Sequence, residues 1–202
     1  ENDPVFGRTQ AQRNERLFRG GMVIRTSLDP EAQAIAQHAV DDALSRGNRV
    51  ATAAVTVQPG TGRVISMAVN RTFGVPKPGN FDKTEVLLPT QAAFQPGSNF
   101  KPFTLAAALE RGFDPATKMT APSVYAPADM NYPGSGFTND GSAEARTFDA
   151  ATAIARSSNT WFVMLEDQVG VLNVASMAER LGITSLPRTG PSAITPRDGS
   201  LT

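Results

Sequence analysis

The sequence predicts an α+β fold, an antiparallel sheet with a helical subdomain. Three observations carry this. A helical stripe over residues 30–44 precedes two β-rich runs joined by a Pro-Gly turn, which makes a hairpin that a helix can cover. The second half then alternates helical patterns with Gly- and Pro-rich stretches. No late run reads as a long strand, so helices and sheet are segregated rather than alternating. At 202 residues the chain has the length of one domain, or one domain with an arm.

Residues 1–21 carry Arg8, Arg13, Arg16 and Arg19 among polar residues without apolar periodicity, and read as a solvated arm or linker. The domain is expected over 22–202. Met22–Thr26 reads as a short strand. Asp29 suits a helix N-cap and Pro30 the first helical position. Ala32, Ile35, Ala36, Ala39, Val40, Ala43 and Leu44 then form the apolar stripe, closed by Gly47-Asn48. Val50–Val57 and Arg63–Val69 are the hairpin strands around Pro59-Gly60-Thr61-Gly62. A helix starts at Ser98 and ends before Gly112, with Pro102 tolerated in its first turn. Residues 113–146 read mostly as loop, with Pro115, Pro122, Pro127 and Pro133. A short helix capped by Thr147 runs to Ala155. Arg156-Ser157-Ser158-Asn159 interrupts it, and helices follow over Thr160–Val169 and around Val174–Leu181.

Composition narrows the chemistry. Lys+Arg and Asp+Glu are 19 each, so neither a basic nucleic-acid binder nor an acidic tail is expected. No run approaches the length of an apolar membrane span. Cysteine is absent, which excludes thiol catalysis and Cys-ligated zinc. The single histidine, His38, lies near Asp41 and Asp42 on a polar helix side and reads as solvated. Trp161 and Phe162 read as core, and Glu166 and Asp167 as surface charges. Asn131-Tyr132 reads as a turn or a cleft lining.

The best catalytic candidate is Ser98-Asn99-Phe100-Lys101. The i, i+3 spacing puts both side chains on one helix face, where the N-terminal amides favour developing negative charge. A desolvated lysine has a lowered pKa and can take the proton from Ser98, with no histidine required. With 13 Ser and 4 Lys, chance yields roughly 0.26 such pairs, so context must strengthen the match. The second candidate, Ser157-Ser158-Asn159, is a helix cap or a hydroxyl and an amide presented to a cleft.

These motifs appear in order with Thr26-Ser27-Leu28-Asp29-Pro30-Glu31-Ala32-Gln33, the Val55–Val64 hairpin, Gln95-Pro96-Gly97-Ser98-Asn99-Phe100-Lys101-Pro102-Phe103 and Ala155-Arg156-Ser157-Ser158-Asn159-Thr160. Over about residues 22–185 the chain resembles the transpeptidase domain of high-molecular-mass penicillin-binding proteins, most closely the class A type, in which Ser-x-x-Lys and Ser-x-Asn are two of three catalytic motifs. The resemblance implies a serine β-lactamase-like fold and a D,D-transpeptidase. Ser98 is then the nucleophile acylated by a peptidoglycan stem peptide or a β-lactam, and Lys101 its activator. Ser157 is the proton relay, and Asn159 binds the substrate peptide or holds Lys101. It implies no metal or organic cofactor and no nucleic-acid partner. It also implies an extracytoplasmic site at the plasma membrane, with any anchor and glycosyltransferase domain upstream of this chain.

The family's third motif, Lys-Thr-Gly, is absent. Lys83-Thr84 is followed by Glu85 and precedes the nucleophile, and Arg188-Thr189-Gly190 follows Asn159 too closely and reads as loop. The expectation is therefore the N-terminal portion of a transpeptidase domain, truncated before the third motif, with a degenerate relative as the alternative. The alternative functions are a D,D-carboxypeptidase or β-lactamase-type hydrolase, and a non-catalytic β-lactam or muropeptide binding module.

Overall fold

A computed structural model describes residues 3–91, 96–128, 134–141 and 145–186. The chain divides into two compact units, Glu1–Ala93 and Phe94–Thr202.

In the first unit a 3-10 turn at Pro4–Phe6 leads to α1, Gln10–Phe18, a helix that the sequence reading did not assign. Its cause is local. Thr9 and Gln12 form a reciprocal capping box, which satisfies orphan backbone donors at the helix start. The expected strand at Met22–Thr26 does not form, and Val23 and Ile24 are 86% and 64% exposed. β-branched residues without a neighbouring strand to pair with stay irregular.

Helix α2, Pro30–Ala43, begins as expected: Asp29 accepts from the N–H groups of Glu31 and Ala32. Strands β1, Ala53–Gln58, and β2, Arg63–Val69, pair antiparallel with a bulge between Thr56 and Val57. α2 runs along β2. Gln33 donates to the Met67 carbonyl and accepts from its N–H, and Gln37 donates to the Val69 carbonyl. The face turned to the hairpin is thus Gln33, Ala36, Gln37 and Val40. Ile35, Ala39 and Ala43, part of the expected stripe, are exposed. Satisfying backbone groups of β2 outside the hairpin ladder outweighs burying every alanine. Two residue pairs, β3 at Thr72–Phe73 and β4 at Lys83–Thr84, run parallel, and one turn of helix, α3, spans Leu88–Gln91. His38 is exposed and its Nδ1 lies 2.9 Å from Asp42 Oδ2.

The second unit carries both motifs. A 3-10 turn, Gly97–Phe100, runs into α4, Lys101–Glu110. Gly112, at φ 83°, ends α4 in a Schellman arrangement, with Phe113 N–H on the Ala108 carbonyl and Gly112 N–H on that of Leu109. The stretch expected to be loop contains three short strands and the start of a fourth. β5, Met119–Ala121, pairs with β8, Arg146–Phe148, and β6, Val124–Tyr125, pairs with β7, Phe137–Thr138. Strands of two or three residues are too short for alternation to show in a sequence. Thr147 belongs to β8, opposite Thr120, so it is Asp149 that caps α5, Ala150–Ala155. Ser158 caps α6, Asn159–Val169, and α7 spans Val171–Arg180.

Two apolar clusters hold these helices. Trp161, Phe162 and Leu165 of α6 pack with Ala108, Ala121, Ala150 and Ala153. Phe100 and Ala107 pack with Val174, Met177 and Ala178 of α7. Glu166 and Asp167 are not the surface charges expected. Glu166 is fully buried. Asp167 accepts a 2.5 Å hydrogen bond from Tyr125, whose hydroxyl is pushed up to about 12 by burial and by that carboxylate. No helix among the described residues is long and apolar enough to cross a membrane. Asn131-Tyr132 and Arg188-Thr189-Gly190 lie outside the described residues.

Trp161 joins the strands to the helices: it is fully buried, meets Phe113 edge-on, and donates through Nε1 to the Phe148 carbonyl at 3.2 Å. Trp161→Ala is expected to destabilise this unit by roughly 3–5 kcal/mol, measured by urea unfolding. A loss under about 1 kcal/mol would contradict this packing.

Candidate active site

The site begins with a tight turn. Gly97, at φ 53°, lets the chain swing from Pro96 into the 3-10 turn that carries Ser98. Ser98 stays exposed, whereas Lys101, on the same side one turn on, is only 2% exposed. The two meet as the spacing requires, Lys101 Nζ donating to Ser98 Oγ at 3.1 Å.

The second motif closes on the same amine. Lys101 Nζ also donates to the Ser157 carbonyl at 2.7 Å, to Ser157 Oγ at 3.0 Å and to Asn159 Oδ1 at 2.6 Å. Ser157 Oγ donates to Ser98 Oγ at 2.9 Å, so two hydroxyls and an amine form a closed triangle. All four residues singled out in the sequence, Ser98, Lys101, Ser157 and Asn159, therefore converge.

The acceptor set bears on the charge of Lys101. An ammonium has three N–H donors, and four acceptors lie in range. Two of these, a carbonyl and an amide oxygen, can only accept. The other two are hydroxyls, which can donate to a lone pair. A neutral amine satisfies the set: two N–H groups go to Ser157 O and Asn159 Oδ1, and its lone pair receives a hydroxyl proton. Burial pushes the Lys101 pKa down from the usual lysine value, since among the described residues no carboxylate is bonded to it. The face of Phe162, with its centroid 5.8 Å from Nζ, forms part of its apolar surroundings.

The backbone of the second motif explains how Ser157 gets there. α5 ends in a Schellman arrangement, Ser158 N–H reaching the Ala153 carbonyl and Ser157 N–H that of Ile154. The left-handed position of that arrangement usually takes glycine. Here it is Ser157, at φ 51°, which alone among the described non-glycine residues has positive φ. A left-handed serine costs on the order of 1 kcal/mol, and such strain clusters where a side chain is needed.

Sequence reasoning missed the clamp that holds this turn. Asn139, just after β7, accepts through Oδ1 from the Ser158 hydroxyl at 3.1 Å and from the Thr160 N–H at 3.2 Å, and donates to Thr160 Oγ1 at 2.9 Å. The neighbouring Thr138 carbonyl accepts from Asn159 Nδ2 at 2.9 Å, which fixes the amide so that its oxygen faces Lys101. An asparagine in a stretch read as loop gives no such signal. In front of Ser98 and Ser157 lies a cavity of about 460 Å³, lined also by Asn139, Asp140, Arg146 and Arg156. Among the described residues no cluster of three His, Asp or Glu is placed to hold a metal ion.

A serine hydroxyl held against a buried lysine amine is a geometry in which the amine can take the hydroxyl proton. The sequence family described as the penicillin binding protein transpeptidase domain matches residues 52–199. Penicillin-binding protein 1A of Mycobacterium tuberculosis is 31% identical over 168 residues, covering 82% of this chain and 18% of that protein. The solved structure of penicillin-binding protein PonA1 from Mycobacterium tuberculosis is 28% identical, with a TM-score of 0.61 over 85% of this chain and 41% of that one. Penicillin-binding protein A from M. tuberculosis, solved as a penicillin G acyl-enzyme complex, is 25% identical, with a TM-score of 0.58 over 93% of this chain and 48% of that one. The chain thus spans less than half the length of each. Its mixed fold of helices and small sheets is that of these serine acyltransferase domains, and its sequence relatives are of the class A kind. The chain belongs to the penicillin-binding protein transpeptidase family.

Proposed function

We propose that this chain supplies the nucleophilic half of a D,D-transpeptidase site that cross-links peptidoglycan stem peptides at the cell-envelope face of the plasma membrane, and that β-lactams acylate the same serine. One observation carries the reading: Ser98 Oγ lies 3.1 Å from a buried lysine amine. Ser98 Oγ attacks the carbonyl of the penultimate D-Ala while its proton passes to Lys101, directly or through Ser157. The C–N bond then breaks, and the departing D-Ala amine takes that proton. The amine of a second stem peptide attacks the ester, gives its proton to Lys101, and Ser98 recovers one as it leaves. Asn159 and Asn139 keep Lys101 and Ser157 in register through both steps.

The direct test is intact mass and peptide mapping after incubation with a penicillin. One adduct on Ser98 is expected, absent in Ser98→Ala. The same assay applies to any longer product of the gene read past Thr202, which tests the N-terminal-portion reading. If neither chain labels, the transpeptidase reading fails in favour of a binding module.

The base predicts a pH profile. A neutral Lys101 is the active form, so the acylation rate rises with pH through its pKa. Because burial lowers that pKa, the rate is expected to level off below the usual lysine value of 10.5. Lys101→Arg, which stays protonated, is expected to lose at least about 100-fold at every pH. A plateau only at or above the usual value would contradict a desolvated base.

Ser157→Gly separates strain from chemistry. Relief of the left-handed serine offsets its lost hydrogen bonds, so stability is expected to change by less than about 1 kcal/mol. The acylation rate is expected to fall at least about tenfold. Unchanged acylation, read by stopped-flow with a chromogenic β-lactam, would remove Ser157 from the relay.

A further inference from the structure

The first unit holds a cavity that serine acyl transfer does not use. Its volume is about 460 Å³, and the loop joining β3 to β4 forms much of its wall. Arg71, just before β3, Lys77 in that loop and Lys83 in β4 all line it, beside Pro76, Pro78 and Phe81. No acid lines it among the described residues. Asp82 and Glu85, on either side of β4, are not part of the lining, and residues 86–93 carry no charge. Lys77 and Lys83 are exposed, and neither they nor Arg71 form an ion pair among the described residues.

The three cations are held by different means. Arg71 is only 8% exposed, and its guanidinium donates to the carbonyls of Asn70 at 3.0 Å and Asn48 at 2.5 Å. A guanidinium has five N–H donors, so three remain without a partner among the described residues. Lys77 opens a type II turn centred on Pro78 and Gly79, the latter at φ 78°, and the Asn80 N–H bonds to the Lys77 carbonyl at 2.9 Å. Lys83 is paired in register with Thr72. The Asp82 carbonyl accepts from both the N–H and the hydroxyl of Thr72, which closes the loop at its base. The Arg49 guanidinium lies over Phe81, 5.9 Å from the ring centroid. The backbone that carries the cations is thus set before a ligand arrives, which lowers the ordering cost of binding. Three like charges around one cavity repel one another, and an anion seated among them relieves that repulsion.

We propose that this cavity binds a phosphate group, with the uncommitted N–H groups of Arg71 and the ammonium groups of Lys77 and Lys83 on its oxygens. Pro76, Pro78 and Phe81 then lie against the organic group that carries it. A guanidinium fork beside two point charges suits the spread oxygens of a phosphate better than the planar pair of a carboxylate. A lipid headgroup and a soluble phosphate ester share this chemistry. The chain's formal net charge is zero, so capture of an anion reads this local cluster rather than the charge of the whole chain. The site does not depend on the reading of Ser98.

The test uses this chain and any longer product of the gene, in two arms at the same salt concentration. Calorimetry with glycerol 3-phosphate reads the soluble source, with glycerate as the carboxylate control. Co-sedimentation with phosphatidylglycerol vesicles reads the lipid source, against phosphatidylcholine vesicles, whose phosphate is neutralised by its own ammonium. Binding is expected in at least one arm, and glycerate is expected to bind at least about tenfold more weakly than glycerol 3-phosphate. Lys77→Gln combined with Lys83→Gln is expected to weaken binding at least about tenfold. Arg71→Lys, which keeps the charge and loses the fork, is expected to weaken it as well. Thermal melting shows whether that variant also loosens the fold through Asn48 and Asn70. If it does, the two lysines, both exposed, decide the matter. Binding in the calorimetric arm alone assigns a soluble ester, binding in the vesicle arm alone a lipid headgroup, and binding in both the phosphate whatever carries it. No binding in either arm, glycerate bound as tightly as the phosphate ester, or an affinity that survives the double lysine variant overturns the site.

Discussion

An amine kept out of water, with no acid bonded to it among the described residues, governs the arrangement of this site. A lysine paired with a carboxylate would stay protonated and could not accept a proton. Lys101 instead meets a carbonyl, an amide oxygen and two hydroxyls, with an aromatic face nearby. Each neighbour has a local structural source. The 3-10 turn sets Ser98 on the solvent side of the amine, and the break between α5 and α6 supplies the other oxygen atoms. The helices packed around Trp161 and Phe162 keep the lysine stem buried.

The second motif shows how local rules are bent for this purpose. A Schellman ending normally selects glycine at its left-handed residue, and α4 follows the rule at Gly112. α5 breaks it at Ser157 and bears the strain. Asn139 and Ser158 stabilise the turn from outside, so the distortion is held by hydrogen bonds rather than by packing. The fold thus spends stability at one residue to present one hydroxyl.

Much of this was legible in the sequence because the signals were local. Asp29-Pro30, the Pro59–Gly62 turn and Gly112 mark element ends through backbone chemistry that needs no tertiary partner. Ser98 and Lys101 are one helical turn apart, so their meeting follows from spacing alone. What was not legible depends on partners distant in sequence. The short strands β5–β8 exist only as pairs, Glu166 is buried by what packs on α6, Asp167 is half-buried against Tyr125, and Asn139 acquires meaning only beside Ser158 and Thr160. The stripe on α2 was misjudged for the same reason. Gln33 and Gln37, polar in a sequence, turn inward because β2 offers them backbone partners.

Trp161 has a further consequence. It is the chain's only tryptophan and sits two residues beyond Asn159, stacked edge-on against both Phe113 and Phe162. Its indole emission therefore carries no background from other tryptophans. Any shift in how α6 seats against Phe113 and β8 changes the ring's edge-on contact with Phe113 and its bond to Phe148. The packing behind the second motif is accordingly visible as an optical signal, without a label and without touching the cleft.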